Sequence, residues 1–261
     1  MEFVPNINDA YESLFAPGFS TYSRAYVITN EDLRYSMGFM PSKTDRALVV
    51  AGSGDHPLFA SLYGAKHVDT FDISYNAKCI TDIKVAALQG GLDLFDYEQM
   101  IYNLYFCRDI QNLNNIDKIS PRLSKVEYDY LCAMKKISLF HQGANPQRYE
   151  CFLPNAQEYK KLQDIVKEPY NFVFSDIKWL SARLTDTYDF VHVSNIFDRI
   201  PRDNSFDVLM SLLKLVNKNG RILLHNQSVS ADTYCKAVER ISDNWRYIKE
   251  KDNLHIMERI R

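Results

Sequence analysis

Short apolar runs rich in β-formers alternate along this chain with longer amphipathic stretches. Arg46-Ala-Leu-Val-Val-Ala51 is one such run; it ends in Gly52-Ser-Gly-Asp-His-Pro57 and is followed by Leu-Phe-Ala-Ser-Leu-Tyr63. This order reads as strand, glycine turn, helix, with Pro57 in the first helical turn, where its missing N–H costs little. Gly64 closes that helix, and His67–Asp72 reads as a second strand. A β-α-β unit of this kind makes its two strands parallel neighbours.

Residues 75–90 carry Ala77, Ile80, Ile83, Lys84 and Ala87 near helical spacing. Residues 93–165 contain no convincing strand. Leu94–Phe106, Lys125–His141 and Ala156–Val166 have helical patterns, punctuated by Pro121, Pro146 and Pro154. Strands then return at Asn171–Ser175, Asp189–Val193 and Arg221–His225, the last preceded by an amphipathic helix, Phe206–Val216, and a turn, Asn217–Gly220. Ile256–Ile260 reads as a final strand, with Lys249–Asp252 as the turn before it. The alternation predicts an α/β fold, a Rossmann-like doubly wound, mostly parallel sheet with a helical insertion at about residues 93–166. Residues 1–45 form an N-terminal helical or cap segment, and 46–261 the sheet domain.

Composition adds exclusions. The 261 residues are 46% hydrophobic and 25% charged, enough to bury a core and too apolar for long disorder. A formal net charge of −2 removes any bulk attraction for nucleic acid, so none is expected as a partner. No window approaches 18 apolar residues, and the N-terminus has no basic stretch leading into an apolar run. No transmembrane segment or signal peptide is therefore expected. The five cysteines are spread without CxxC or Cys/His zinc spacing. They read as free thiols in a reducing cytoplasm, with no metal expected. Oligomeric state is not legible.

The glycine turn carries the candidate chemistry. Glycines after a first strand let backbone N–H groups approach a ligand, and the helix that follows adds a partial positive charge. Asp72 ends the next strand 20 residues after Gly52, the spacing at which a carboxylate accepts hydrogen bonds from ribose hydroxyls. Pro57 occupies the third glycine position of GxGxxG, so the ligand need not be a dinucleotide. Asp176, after the third predicted strand, suits an adenine amino group or a helix N-cap. Ser194 and Asn195, after the fourth, suit the reacting end of the ligand or a simple turn. His56, His192 and His225 are candidate proton acceptors, each with a structural role as the ordinary alternative. His56, inside the glycine turn, leads them.

In order and spacing, Arg46–Asp55, His67–Asp72, Phe174–Ile177, Tyr188–Phe197 and Gly220–His225 resemble class I S-adenosylmethionine-dependent transferases. Two departures stand out: Val50 replaces the acidic residue common within the first strand, and His56 replaces the last glycine of GxGxG. Gly52–Leu58, Val68–Ser74 continuing into Asp82–Leu88 and Leu94–Tyr97, and Val193–Phe197 look more like betaine-lipid synthase-type 3-amino-3-carboxypropyl transferases. The resemblance implies S-adenosylmethionine as cofactor. Gly52, Ser53, Gly54 and Asp55 would cradle its methionine part and ribose, and Asp72 would hold the ribose hydroxyls. Ile73 would pack on adenine, with Asp176 and Ile177 at the adenine edge. Ser194 would border the sulfonium, and His56 and Asn195 would be catalytic. Transfer of a methyl or an aminocarboxypropyl group to a small-molecule acceptor follows. A nucleotide-binding protein without catalysis is the alternative of a different class. Tyr22, Arg24, Tyr26 and the 141–149 segment with Arg148 are candidates to close over the site.

Overall fold

The computed structural model describes residues 27–29, 31–105, 115–133, 153–225 and 229–261. Tyr22, Arg24, Tyr26 and the 141–149 segment lie outside them. In chain order the described elements begin with α1 (Leu33–Met37), β1 (Arg46–Val50), α2 (Asp55–Leu62), β2 (His67–Asp72) and α3 (Tyr75–Gln89). Four helices follow: α4 (Leu94–Tyr105), α5 (Ile116–Ile119), α6 (Lys125–Ala133) and α7 (Ala156–Ile165). Then come β3 (Asn171–Phe174), α8 (Ile177–Arg183), β4 (Tyr188–His192), α9 (Arg202–Leu213), β5 (Val216–His225), α10 (Val229–Ile241), β6 (Trp245–Lys249) and β7 (Leu254–Arg259).

The seven strands form one sheet in the order β3-β2-β1-β4-β5-β7-β6. The pairs β1–β2, β1–β4, β2–β3 and β4–β5 are parallel, and β7 runs antiparallel between β5 and β6. This is a Rossmann-like, mostly parallel sheet with helices on both faces. Strand β1 shows why: Ala47, Leu48 and Val49 are all fully buried, and alternate residues enter different cores. Ala47 and Val49 enter a core with Leu58, Phe59, Ile80 and Ile83 of α2 and α3, which Tyr97 and Leu162 of α4 and α7 extend on the outer side of those helices. Leu48 and Val50 pack with Leu180, Val208, Leu212 and Val238 of α8, α9 and α10.

Two local readings shift. The predicted helix Phe206–Val216 runs instead from Arg202 to Leu213, and β5 starts at Val216. The Asn217–Gly220 turn is an outward excursion of that strand: the register slips between Tyr188 and Phe190, and Asn219 takes a φ of 62°. Gly220 is required there, because a Cβ would lie 2.9 Å from the Asn217 carbonyl. The antiparallel end of the sheet also begins earlier than periodicity suggests, with β6 at Trp245 and a short 3-10 turn, Lys251–Asn253, before β7.

The glycine turn is anchored by a buried ion pair. Asp55 and Lys84 are both essentially inaccessible, and the Lys84 ammonium lies 2.5 Å from Asp55 Oδ1. Asp55 Oδ2 accepts from the Ser53 hydroxyl at 2.7 Å and from the Thr29 backbone N–H at 2.8 Å. Burial pulls the Lys84 ammonium below its ordinary value, and the Asp55 charge opposes that pull. Removing one partner leaves the other buried and uncompensated. Lys84→Met should therefore cost about 3–5 kcal/mol in unfolding free energy by denaturant titration. A cost below about 1 kcal/mol would mean that water or a neighbour replaces the ammonium at no penalty.

Candidate active site

The strand order reverses between β1 and β4, and ligands of open α/β sheets bind at the carboxyl ends of strands flanking such a point. A cleft of about 290 Å³ opens there. Gly52, Ser53 and His56 come to its wall from the β1–α2 turn, and Asp72 and Ile73 from the end of β2. Asp176 and Ile177 follow β3, and Ser194 and Asn195 follow β4. These nine residues are drawn from segments up to about 140 positions apart, which the four parallel strands bring to one edge. Val50, Phe71, Ile196 and Ile200 supply apolar wall, and Lys178 and Arg199 are exposed beside it.

Two of the expected ligand-binding residues lie outside this wall. Asp55, read from the sequence as part of the cradle, turns its carboxylate inward to Lys84, Ser53 and Thr29. Gly54 faces α3: a Cβ there would stand 2.9 Å from the Thr81 Cα, and its φ of +81° already favours glycine. Both shape the turn from behind. Gly52, with φ +53°, is open toward the cleft apart from the His56 ring, whose Nδ1 lies 3.6 Å from where a Cβ would stand.

Asp72 is held rigidly. Its Oδ2 accepts from the Gly52 N–H at 3.0 Å and its Oδ1 from the Ser74 N–H at 2.9 Å. Burial pushes its carboxyl up to about 6, against the hydrogen bonds from Ser74, Gly52 and Ile73 and the charge of His56. Asp176 caps α8, its Oδ1 accepting from the Lys178 N–H at 2.9 Å, and the residue also lines the cleft. Ser194 takes a φ of 54°, a left-handed conformation unusual outside glycine and asparagine. That conformation aims its N–H at His192 Nδ1, 3.2 Å away, while its carbonyl accepts from the His225 N–H at 2.8 Å.

Glu31 was not visible as a site residue. It sits in a segment without periodicity or motif, yet it is almost fully buried behind the cleft wall. Its Oε2 accepts from His56 Nε2 at 3.3 Å, its Oε1 accepts from the Ser194 hydroxyl, and His225 Nδ1 is 3.7 Å from Oε2. Burial alone would raise its carboxyl. The His225 imidazole close by and the hydrogen-bonded His56 ring outweigh that effect and hold it well below the usual carboxylate range. Burial pushes the His192 imidazole down to about 3, so that ring is neutral near pH 7. The His56 and His192 rings are 5.1 Å apart. Glu31, His56 and His192 each offer a donor atom within 4.8 Å of the others, the cluster among the described residues that could in principle hold a metal.

No protein-family model matches the chain, and no curated protein matches it. Among solved structures it is similar to an rRNA methylase from Streptococcus thermophilus, with 10% identity and a TM-score of 0.44 over 90% of this chain and 99% of that one. It is also similar to a ribosomal protein L11 methylase from Lactobacillus delbrueckii subsp. bulgaricus, with 12% identity and a TM-score of 0.44 over 88% and 77% of the two chains. The N-methyltransferase NodS from Bradyrhizobium japonicum, solved with S-adenosyl-L-homocysteine, gives 8% identity and a TM-score of 0.41 over 97% of both. No helix among the described residues is long and apolar enough to cross a membrane.

The raised Asp72 carboxyl has a consequence for stability. The native state holds this proton more tightly than the unfolded chain does. The contribution is complete below the ordinary aspartate range and is lost as pH rises through about 6. Asp72→Asn removes the titration. Its stability relative to the wild type should grow by roughly 1–3 kcal/mol between about pH 4 and about pH 7, read from denaturant midpoints. A difference that stays flat would show an ordinary, solvated carboxylate.

Proposed function

We propose that the chain is a transferase that uses S-adenosylmethionine. The observation that supports this reading is that Asp72 and the Gly52 turn share one cleft with Asp176, Ser194 and Asn195 from the next two strands. Asp72 is fixed by backbone N–H groups of Gly52, Ser74 and Ile73 and lines the cleft, where its carboxylate can still accept from a ribose hydroxyl. Gly52 and Ser53 offer backbone without bulk where the methionine part would lie. Ile73 and Ile177 offer flat apolar contact for adenine. Asp176 caps α8 with one oxygen and has the other for an exocyclic amino group.

S-adenosylmethionine supplies a sulfonium whose attached carbons are electrophilic. The chain's own contribution is to hold it with one S–C bond in line with an acceptor, to keep water away, and to take up a proton. Asn195 and His56 both line the cleft and are the residues assigned to that task. The motif likeness favours the 3-amino-3-carboxypropyl group as the one moved. It is joined by His56, which fills the turn where the methyltransferase pattern keeps a glycine. Methyl transfer to a small nitrogen or oxygen acceptor is the second reading, favoured by the plain Gly-x-Gly turn and the ribose-binding Asp72.

Two measurements test this. Asp72→Ala should lower affinity for S-adenosylmethionine at least a hundredfold by calorimetry, with the fold retained by circular dichroism; unchanged affinity would remove the site assignment. In turnover with pooled acceptors, an excess of methylthioadenosine is expected over S-adenosylhomocysteine. The opposite ratio assigns methyl transfer. Wild-type protein that fails to bind S-adenosylmethionine overturns the reading.

A further inference from the structure

The transferase reading leaves one group unexplained: a carboxylate buried behind the wall rather than in it. Glu31 reaches the cleft only through two side chains, His56 and Ser194, both of which line it. A carboxylate held in the charged form is acceptor-only, so His56 Nε2 carries the hydrogen between them. In the neutral ring Nδ1 then bears a lone pair. Among the described residues, that Nδ1 is buried without a hydrogen-bond partner, and it lies at the Gly52 turn. Carboxylate, oriented imidazole and unpartnered basic nitrogen are the parts of a general-base pair, in which the acid fixes tautomer and orientation and balances the imidazolium once it forms.

The same atoms argue against a metal. The Ser194 backbone N–H can only donate, so His192 Nδ1 is an acceptor and His192 Nε2 carries the proton. A metal-bound neutral imidazole needs the reverse, one nitrogen on the metal and the other donating its N–H. Glu31 Oε2 is likewise already engaged by His56. The remaining charged and titratable groups around His56 are Asp55 at the start of α2, Asp72 at the end of β2, His192 on β4 and His225 on β5. Asp55 is paired with Lys84, and His192 is neutral.

We propose that Glu31 is a positioning residue for His56, and that the acceptor reacts through an amine nitrogen whose proton passes to His56 Nδ1, directly or through one water. This inference rests on the transferase reading. In the step, the amine lone pair forms the new C–N bond, the S–C bond breaks with its pair on sulfur, and the sulfonium charge disappears there. The positive charge appears on the acceptor nitrogen instead. His56 takes the N–H proton, the imidazolium faces Glu31, and the proton leaves to solvent with the product. An amine suits this site because the charge stays positive throughout and one buried anion, Glu31, stabilises the imidazolium that takes up the proton.

Long-range ¹H–¹⁵N spectra of the isolated protein read the tautomer without any acceptor. His56 should show Nε2–H and a bare Nδ1; an Nδ1–H tautomer overturns the proposal. With free amino acids and short diamines as the acceptor panel, Glu31→Gln should lower kcat by 10²–10⁴-fold while affinity for S-adenosylmethionine stays within about threefold. Glu31→Asp, which keeps the charge, should recover part of the rate. A Glu31→Asp variant no more active than Glu31→Gln, or a Glu31→Gln variant as active as wild type, overturns the positioning role while wild-type cofactor binding keeps the transferase reading intact. Turnover of hydroxyl or thiol acceptors with none of the amines overturns the acceptor class. Activity that is lost with a chelator and restored by Zn²⁺ overturns the proton-transfer role.

Discussion

The glycine turn depends on the buried Asp55 carboxylate. A charge this deep is tolerable only if every lone pair is engaged and a counter-charge is close. Lys84 supplies the charge from α3, Ser53 a hydroxyl from within the turn, and Thr29 a backbone N–H from the N-terminal segment. One carboxylate thereby ties together three stretches that are distant in sequence. Gly54 lets the turn approach α3 closely enough for this, since a side chain there would strike Thr81. Thr29 is two residues from Glu31, so the anchor of the turn also anchors the acid behind the cleft.

Two further carboxylates face the cleft region, and their surroundings push them in opposite directions. Asp72 has only backbone N–H groups for partners, and burial raises it to about 6. Glu31 is at least as deeply buried, yet the histidines around it hold it in the charged form. The difference is the partner: a neutral N–H offsets part of a desolvation cost, while an imidazole that shares charge offsets more. The two acids thus suit different tasks. Asp72 is an acceptor waiting for hydroxyl donors, and Glu31 is a permanent negative charge beneath His56 and Ser194.

The sheet's edges and the insertion are built differently from its centre. β1 is buried on both faces, which is why Ala47–Val50 reads as a continuous apolar run. β6 is half exposed and carries Arg246 and Lys249, so its period is weak and its start is hard to see. The described helices of 94–165 pack against α2 and α3 rather than on the strands, through Tyr97, Tyr130, Tyr159 and Leu162. They leave the cleft edge of the sheet uncovered.

The sequence by itself determined the central strands, the glycine turn, and the placing of Asp72, Asp176, Ser194 and Asn195 at strand ends. Local causes suffice for these: period-two burial, the freedom of glycine, and the rule that ligands meet parallel strands at their carboxyl ends. Only the tertiary structure decided that Asp55 and Gly54 face inward, that Lys84 is a buried counter-ion rather than a solvated helix residue, and that Glu31 stands behind His56. Each of those depends on a contact across at least 25 positions. Local patterning leaves no trace of such contacts, because a buried charge is tolerated or forbidden by its spatial neighbours and not by the residues beside it in the chain.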